Sequence, residues 1–325
     1  MTDETTDDVV IDESLVRRLL AAQFPRWAEL PVEPVERPGV DNMTYRLGAG
    51  MSVRLPRYPR WAGQVVREQR WLPYLAPRLP LAVPVPLAQG APGEGYPFPW
   101  SVYRWLDGDR ATPRELDDPR RTARELAEFL GALWAIDPAG GPPPEWSNGF
   151  RGVAPGDGRD SPLAAGRMRA RIAALEGLAD TDAITAVWQS ALAAPEWSGP
   201  PVWIHGDPAP GNLLARHGRL SAVIDFGTVA VGDPACDLIA AWTWLDADAR
   251  EVFRAALPID DATWTRGRAW GLSAVLPSAR ALADPDLDPA RAAAARHRLD
   301  ALIADHANDH SHDQAHPNGK GWSRT

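Results

Sequence analysis

The stretch WIHGDPAPGN, residues 203–212, places Asp207 and Asn212 on either side of two prolines and a glycine. Prolines restrict the backbone and exclude a helix, so a stiff loop is expected that holds two oxygen-bearing side chains in place. A second motif, IDFG at residues 224–227, follows the loop. In it Asp225 stands thirteen residues after Asn212, at the end of an apolar run and shortly before a glycine. This pattern predicts a carboxylate at a strand tip beside the loop.

These three side chains have the chemistry of a magnesium-dependent site. Carboxylate and amide oxygens suit Mg²⁺, which keeps water and substrate phosphates among its ligands. In phosphoryl transfer, one carboxylate accepts or orients the proton of the acceptor hydroxyl, while the other holds the metal on the phosphates. Asp and Asn are common in turns, so either motif alone would be weak evidence. Together, the HGD and IDFG motifs indicate phosphoryl transfer.

The composition limits the possible partners and location of the chain. Its 325 residues, 45% of them apolar, suffice for one large or two medium domains. A net charge of −9 disfavours broad binding to nucleic acid or anionic membranes. Cys236 is the only cysteine, which precludes an internal disulfide, and no apolar run approaches the ~20 residues of a membrane helix. We therefore expect a cytoplasmic protein without nucleic-acid or membrane partners.

The first third of the chain is expected to be rich in strands. Residues 42–48 and 51–57 alternate apolar and polar side chains around a Gly-Ala-Gly turn, which predicts a hairpin with one buried face. A helix is predicted over 64–76, with Pro73 kinking or ending it. After a proline-rich extended segment, residues 100–108 are predicted to form an apolar strand that ends in a turn.

From about residue 109 the pattern becomes helical. Helices are predicted within 114–137, near 162–177 and 181–195, and again at about 234–246, 248–256, 261–281 and 288–306. Between these groups lies a compact insert in which NLLA and RLSAVID form a hairpin around the turn RHG. The last residues, from 307 onward, are polar and aperiodic, and we expect them to be disordered.

The two motifs resemble the catalytic loop and metal-binding segment of the aminoglycoside phosphotransferase family, small-molecule kinases of the protein-kinase-like fold. The segment GDPACD at 232–237 and the strands GVDNMTYRL and MSVRLPR extend the resemblance over roughly residues 35–305. It implies a bilobal α+β fold with a small β-rich N-terminal lobe and a larger, mainly helical C-terminal lobe. The expected division is an acidic tail and leading helix (1–24), a nucleotide-binding lobe (25–105), a catalytic and substrate-binding lobe (106–306) and a disordered tail (307–325).

Residue by residue, the resemblance implies that Asp207 is the catalytic base and that Asn212 and Asp225 are the metal ligands, acting on ATP and Mg²⁺. His205 and Asp237 would support the loop through hydrogen bonds. The family often has Leu-His after HGD, whereas this chain has Pro-Ala at 208–209. This departure leaves the proposed base and ligands intact and puts only the details of substrate contact in doubt.

The chain departs from the fold's usual pattern at the cation that binds the nucleotide phosphates. That cation is ordinarily a lysine on the third strand, paired with a glutamate on the next helix. The only lysine here is Lys320, and MSVRLPR places Arg54 at the expected strand position. Glu68 follows fourteen residues later, so we expect Arg54 and Glu68 to form the pair. The alternative is that Arg54 is simply a solvated strand residue.

The remaining nucleotide contacts are more weakly indicated. Asn42 and Thr44, in the turn before the first hairpin, are candidates to donate hydrogen bonds to phosphates, although ordinary turn chemistry explains them nearly as well. The strand that carries Tyr103 and Trp105 is expected to lie against the base, which backbone groups would read. The choice between ATP and GTP is left open.

The acceptor is the least determined part of the hypothesis. Trp242 and Trp244 precede the acidic residues Asp246, Asp248 and Glu251, which suit a cationic acceptor such as an aminoglycoside; a solvated helix face is the alternative. A macrolide, choline, homoserine or a sugar would be acceptors of the same reaction class. A nucleotide-binding pseudokinase is the rival from another class, and the oligomeric state is open.

Overall fold

A computed structural model of the chain describes residues 10–35, 39, 41–112, 115–276, 282 and 289–315. A sheet-rich N-terminal lobe precedes a mainly helical C-terminal lobe, so the α+β, bilobal fold predicted from the sequence is confirmed. The buried apolar side chains form two clusters, one drawn from residues between 15 and 102 and the other from residues between 72 and 302. Each lobe is therefore organised around its own core.

The N-terminal lobe contains a five-stranded antiparallel sheet. Its strands are β1 (Val32–Pro34), β2 (Asn42–Leu47), β3 (Met51–Pro56), β4 (Pro86–Gly90) and β5 (Trp100–Arg104). Their order across the sheet is β1-β2-β3-β5-β4. The predicted hairpin is present as β2 and β3, with Thr44 opposite Arg54. Val53 and Leu55 are fully buried on one face of β3, whereas the side chain of Arg54 stays 17% exposed on the other.

Two helices flank this sheet. In α1 (Glu13–Gln23) four apolar residues share the buried face, and the helix packs into the N-terminal core although the predicted boundary at residue 24 separates it from that lobe. Helix α2 (Pro59–Leu75) follows β3 and ends two residues after Pro73. The end of the helix agrees with the prediction, because a proline near the last turn removes only one helical hydrogen bond, whereas its start lies five residues before the predicted residue 64. Glu68 lies on the buried face of α2.

The C-terminal lobe consists of seven described helices and two small sheets. The helices are α3 (Pro119–Trp134), α4 (Ala165–Ala173), α5 (Thr181–Ala193), α6 (Ala240–Thr243), α7 (Ala247–Ala256), α8 (Asp261–Val275) and α9 (Pro289–Ala315). An aspartate side chain caps the N-terminus of each of α3, α5, α7 and α8. Such caps satisfy backbone N–H groups that the first helical turn leaves free.

Short strands position the two sequence motifs next to each other. The strands are β6 (Asp109–Arg110), β7 (Val202–Ile204), β8 (Leu213–Arg216), β9 (Arg219–Val223) and β10 (Ala230–Gly232). The predicted second hairpin is present as β8 and β9, with His217 and Gly218 at positive φ (53° and 74°) in a two-residue turn. After it, the backbone N–H of Ile224 donates to Asn212 O at 2.8 Å. The segments that follow β7 and β9 therefore lie side by side.

The C-terminal helices differ from the prediction at their ends. The helix expected from residue 234 begins with a 3₁₀ segment, Pro234–Ile239, before α6. Helix α9 continues to Ala315, nine residues beyond the predicted boundary at 306. Its Asp309 contacts Arg254 and Arg268, which fixes a helical turn that composition alone suggested would be disordered. Residues 1–9 and 316–325 of the two predicted tails lie outside the described residues. None of the helices in the described part of the chain is long and apolar enough to span a membrane.

Candidate active site

The buried carboxylate of Asp237 binds the backbone of the loop that follows β7. Asp237 is fully buried and accepts hydrogen bonds from the backbone N–H groups of His205 (3.1 Å) and Gly206 (2.7 Å). The indole of Trp134, on α3, donates to the same carboxylate at 3.0 Å. Burial raises the pKa of Asp237, and these donors oppose that rise. Asp237 thus accepts hydrogen bonds from backbone N–H groups of the loop that have no partner in a strand.

His205 links this loop to the strand end that bears the second motif. Its ring is fully buried, and Nδ1 accepts a hydrogen bond from the Asp207 N–H at 3.2 Å. Nε2 then carries the proton of the neutral ring and donates to Ile224 O at 3.0 Å. The imidazole therefore connects Asp207 to the residue before Asp225. These hydrogen bonds are compatible with the supporting role that the sequence analysis predicted for His205, which stays a prediction.

Asp207 and Asn212 contact each other directly. Asn212 Nδ2 donates to the backbone oxygen of Asp207 at 2.9 Å and to its Oδ2 at 3.2 Å. With its nitrogen oriented in this way, the amide presents its oxygen in another direction. Gly206, just before the carboxylate, has φ of 87°, and a Cβ there would lie 2.9 Å from Thr228 Oγ1. A glycine is required at this position by both backbone conformation and space.

Asp225 occupies a strained backbone position at the end of β9. Its φ of 68° and ψ of 63° are left-handed, which non-glycine residues adopt infrequently. Its Oδ1 lies 2.8 Å from Nη2 of Arg54. Burial acts to raise the pKa of Asp225, but the charge and hydrogen bond of Arg54 outweigh it and lower the pKa. The carboxylate is therefore ionised and aimed across the cleft between the lobes.

Arg54 is the centre of an ionic cluster. Besides Asp225, its guanidinium contacts Glu68, with Nη1 3.4 Å from Oε1, so the predicted pair of Arg54 and Glu68 is present. The hydroxyl of Tyr103 donates to the other oxygen of Glu68 at 2.5 Å. Burial raises the pKa of Glu68, and the charge of Arg54 opposes that rise. A fixed arginine with N–H groups toward the cleft can bind phosphate oxygens.

A cavity of about 240 Å³ lies between the lobes and collects most of the predicted nucleotide-site residues. Of these, Thr44, Arg54, Tyr103, Trp105, Asn212 and Asp225 line it. Glu68 contacts the lining residue Arg54, and Asp207 contacts the lining residue Asn212. Asn42 is 6% exposed in β2 and is not among the lining residues. The side chain of Tyr103 contacts Glu68, so its position is explained by the ionic cluster and not by a base.

The donor set fits a magnesium ion that takes most of its ligands from water and phosphate. Asn212 and Asp225 line the same cavity and present hard oxygen donors. Four carboxylates lie near the cleft and interact electrostatically with one another or with Arg54: Asp41, Asp207, Asp225 and Glu68. Their negative charge exceeds the positive charge of Arg54. Among the described residues there is no cluster of three or more His, Cys, Asp or Glu side chains that could hold a metal without further ligands.

Asp41 is a site residue that the sequence analysis did not select. Burial and the charge of Asp225 raise its pKa to about 6, Asp207 adds to the rise, and Arg54 and Arg151 oppose it. Asp41 directly precedes β2, and the charged groups that act on it belong to both lobes. The turn that contains it was recognised in the sequence, but only Asn42 and Thr44 were selected there because they can donate hydrogen bonds.

A second cavity, of about 660 Å³, lies in the C-terminal lobe between the α6–α7 region, α8 and α9. It is lined by Trp242, Trp244, Asp246 and Glu251, four of the five residues considered for the acceptor. The fifth, Asp248, is not among the lining residues and its carboxylate lies 4.0 Å from Arg120. Asp305 and Asp309, on α9, also line the cavity and are paired with arginines.

Comparison with known proteins gives one family match and a consistent set of structural matches. A family model described as "Phosphotransferase enzyme family" matches residues 33–270. No curated protein sequence matches the chain significantly. The GDP complex of aminoglycoside 2′-phosphotransferase-IIIa is 22% identical, covers 91% of this chain and 99% of its own, and has a TM-score of 0.63.

Two further solved structures cover similar shares. The ternary complex of streptomycin, ATP and APH(2″)-IIa is 18% identical over 82% of this chain and 91% of its own, with a TM-score of 0.54. A macrolide 2′-phosphotransferase, MphH from Brachybacterium faecium, is 24% identical over 83% of this chain and 91% of its own, with a TM-score of 0.52. At these identities the structural matches establish a common fold.

Proposed function

The chain belongs to the phosphotransferase enzyme family, and we propose on that premise that it transfers the γ-phosphoryl group of ATP to a hydroxyl group of a small molecule. One observation carries the proposal. A loop carboxylate with an adjoining amide (Asp207 and Asn212), a strand-tip carboxylate (Asp225) and an anchored guanidinium (Arg54) meet at one cleft between the lobes. Phosphoryl transfer requires little covalent chemistry from the protein beyond this positioning of charges.

Asp207 is proposed as the base. The oxygen of the acceptor hydroxyl forms a bond to the γ-phosphorus while the bond from that phosphorus to the β–γ bridging oxygen breaks. The departing ADP keeps the electron pair of the broken bond, and the hydroxyl proton passes to the carboxylate of Asp207. Asn212 orients this carboxylate through its hydrogen bond to Oδ2, and His205 holds the backbone beside it.

The nucleotide is proposed to lie in the cavity of about 240 Å³. Arg54 would bind its phosphates, with Glu68 fixing the guanidinium. Asn212 and Asp225 would hold Mg²⁺, which neutralises negative charge on the phosphate oxygens. The N–H groups of Arg104 and Trp105 are already donated to Val85 O and Gly50 O. Other groups of this segment would therefore form the hydrogen bonds to the adenine ring of the nucleotide, such as the backbone of Leu106, which lines the cavity.

The acceptor class proposed first is an aminoglycoside-type compound, in the cavity of about 660 Å³. Asp246 and Glu251 line that cavity and form no ion pair with another described residue, so Glu251 and the Asp246 oxygen that does not cap α7 could accept hydrogen bonds from ammonium groups. The partly exposed indole of Trp244 supplies a flat surface for a sugar ring, whereas Trp242 is buried against Trp264 and forms the wall behind it. The similarity in fold to enzymes crystallised with kanamycin and with streptomycin is compatible with this choice.

A macrolide is the second candidate, and the charge balance of the same cavity favours it. Asp305 and Asp309 are neutralised by Arg250, Arg254 and Arg268. The lining also contains His297 and Arg298. The cavity is thus only weakly acidic and is rich in tryptophan, a combination that suits an amphipathic acceptor with few charges better than a polycation.

Two other functional classes are less well supported. A pseudokinase would not need the base, yet Asp207 is held beside Asn212 in the arrangement expected for catalysis. A protein kinase would need a long segment to dock a polypeptide. Here only residues 226–233, which form a 3₁₀ turn and the short strand β10, separate Asp225 from the 3₁₀ segment that starts at Pro234 and leads into α6. Both observations favour a small-molecule acceptor.

A coupled assay of ADP release over aminoglycosides, macrolides, choline, homoserine and simple sugars tests the proposal. We expect Mg²⁺-dependent release of ADP that requires one acceptor class, with the phosphorylated acceptor identified by mass spectrometry. Turnover of aminoglycosides alone would support the first acceptor class, and turnover of macrolides alone the second. Nucleotide binding without turnover of any of these compounds would contradict the proposed function and favour the pseudokinase.

A further inference from the structure

The segment between α3 and α4 reaches the catalytic loop and is fixed to it. Asn148 is fully buried, and its Nδ2 donates to Arg151 O and to Thr228 O, both at 3.2 Å. Thr228 in turn donates from its hydroxyl to His205 O at 2.8 Å. The backbone that carries Arg151 is therefore connected through two side chains to the loop that carries Asp207.

The side chain of Arg151 runs along this loop. A Cβ on Gly206 would stand 2.9 Å from Arg151 Cδ, so the aliphatic stem passes directly beside the residue that precedes Asp207. Its Nη1 donates to Asn148 O at 3.1 Å. No carboxylate of a described residue lies within ion-pair distance of its guanidinium. A half-buried guanidinium that has only a carbonyl partner retains several donors for an anion.

The electrostatic influence of Arg151 extends to the N-terminal lobe. Burial and Asp225 raise the pKa of Asp41 on the N-terminal lobe, and Arg151 is the first-ranking influence that lowers it. The contact of its aliphatic stem with Gly206 places Arg151 beside the residue that precedes the proposed base.

A second guanidinium approaches the same turn. The position that a Cβ of Gly149 would occupy is 2.9 Å from Nη1 of Arg151 and 3.6 Å from Nη2 of Arg60. Arg60, near the start of α2, stacks on Trp61 and Trp146 and forms no ion pair with a described residue. Its Nε is buried without a hydrogen-bond partner. Two guanidinium groups that form no ion pair with a described carboxylate therefore lie beside Gly149.

We propose that Arg151 is a further catalytic residue that binds the γ-phosphoryl group during transfer. The inference rests on the proposed function. Arg54 is held by Glu68 and Asp225 on the far side of the cleft, whereas Arg151 adjoins the loop of Asp207, where the acceptor oxygen attacks. As the acceptor oxygen bonds to the γ-phosphorus and ADP departs with its electron pair, Arg151 donates hydrogen bonds to the equatorial oxygens of the moving group.

The test compares Arg151→Gln with Arg54→Ala and with the exposed control Arg169→Ala. The glutamine keeps part of the aliphatic stem beside Gly206 and removes the charge, which limits damage to the fold. We expect Arg151→Gln to lower kcat by about 10²-fold or more, as loss of a cation on the transferring group does. Calorimetry should give unchanged affinity for ADP and weaker affinity for a non-hydrolysable ATP analogue. Arg54→Ala should weaken both ligands.

The ratio of the affinities for the ATP analogue and for ADP distinguishes binding of the γ-phosphoryl group from a purely structural role of Arg151. If the wild type turns over an acceptor but Arg151→Gln retains both its kcat and its preference for the ATP analogue, Arg151 does not bind the γ-phosphoryl group. If Arg151→Gln weakens ADP and the analogue equally, the side chain only supports the fold, and the inference is again wrong. If the wild type transfers nothing to any acceptor, the proposed function itself fails, which is a different outcome. A partial recovery of kcat in Arg151→Lys, which restores the charge, would support the inference.

Discussion

Nη2 of Arg54 lies 2.8 Å from Oδ1 of Asp225, although the two residues are 171 positions apart in the chain. One belongs to the sheet of the N-terminal lobe and the other to the end of β9 in the C-terminal lobe. The contact joins the proposed phosphate-binding cation to a proposed metal ligand. In the proposed complex, contacts of the arginine with phosphate and of the carboxylate with Mg²⁺ would replace part of this ion pair.

The first prediction concerns the arginine that stands in place of the fold's lysine. Arg54→Ala should raise KM for ATP and lower kcat together, because both binding and transfer use the phosphate contacts. Arg54→Lys should recover part of the loss, since it restores the charge but not the planar, two-pronged geometry. The control is Arg57→Ala, an exposed residue on the same segment. Steady-state kinetics with ATP as the varied substrate measure both KM and kcat. Wild-type values for Arg54→Ala would mean that another cation binds the phosphates.

The coupling of Arg54 to Glu68 is measurable in the same assay. Groups in direct contact show interaction energies of roughly 0.5–3 kcal/mol in double-mutant cycles. With Nη1 3.4 Å from Oε1, Arg54→Ala and Glu68→Ala should be non-additive in kcat/KM. Strict additivity would remove Glu68 from the role of orienting the arginine.

The second prediction concerns Asp225. Asp225→Ala should weaken the binding of ATP in the presence of Mg²⁺ and raise the Mg²⁺ concentration needed for half-maximal activity, because a metal ligand is lost. Isothermal calorimetry with and without Mg²⁺ measures this directly. The variant also frees Arg54 from one partner, so binding of nucleotide without metal should change less than binding with it. An unchanged Mg²⁺ dependence would exclude Asp225 as a ligand.

The third prediction concerns Asp237, whose carboxylate binds the backbone of the loop that carries Asp207. Asp237→Ala leaves two backbone N–H groups and the Trp134 indole without their buried acceptor. Loss of such a group should lower the free energy of unfolding by about 3–5 kcal/mol. The matched control Glu128→Ala, at an exposed position of α3, should stay within about 0.5 kcal/mol of the wild type in urea denaturation. Equal stability of the two variants would show that Asp237 is dispensable to the loop.

Sequence patterns predicted those parts of the fold that depend on local chemistry. The hairpin of β2 and β3, the turn at 217–218 and the loop containing Asp207 follow from alternation, glycine and proline. The pairing of Arg54 with Glu68 was predicted because the resemblance supplied the strand and helix that carry them. Its other partner, Asp225, is a contact between lobes, and no local pattern encodes a contact between residues so far apart.

Three site features were missed for related reasons. Trp134, one of fifteen tryptophans, carries no sign in the sequence that its indole serves Asp237. Arg151 lies in an irregular segment with no periodicity, and its place beside Gly206 depends on the buried side chain of Asn148. Asp41 was visible in a recognised turn, but its interaction with the opposite lobe arises only after the lobes are assembled.

The fourth prediction concerns pH. Burial and Asp225 raise the pKa of Asp41 from its usual value of 3.8 to about 6 in the folded protein. A raised folded-state pKa contributes stability that is complete below the unfolded value and is lost as pH rises through the folded value. Asp41→Asn should therefore stabilise the nucleotide-free protein at about pH 7.5, by roughly 1 kcal/mol after allowance for solvent screening, and give little gain at about pH 4.

Thermal denaturation at the two pH values measures this difference. The control Asp182→Asn changes an exposed carboxylate on α5 and should show a smaller pH-dependent gain. A gain for Asp41→Asn that is equal at both pH values, or larger in acid, would contradict the raised pKa of Asp41.

The fifth prediction tests the central claim, that Asp207 accepts the proton of the acceptor hydroxyl. Asp207→Asn keeps the size of the side chain and an oxygen that can accept the hydrogen bond from Asn212. With the acceptor identified in the ADP-release screen, the variant should show kcat lowered by about 10²–10⁴-fold, as removal of a general base does. Its affinity for ATP with Mg²⁺ should stay within a few-fold of the wild type. An Asp207→Asn enzyme with near-wild-type kcat on that acceptor would contradict the assignment of the base and the mechanism built on it.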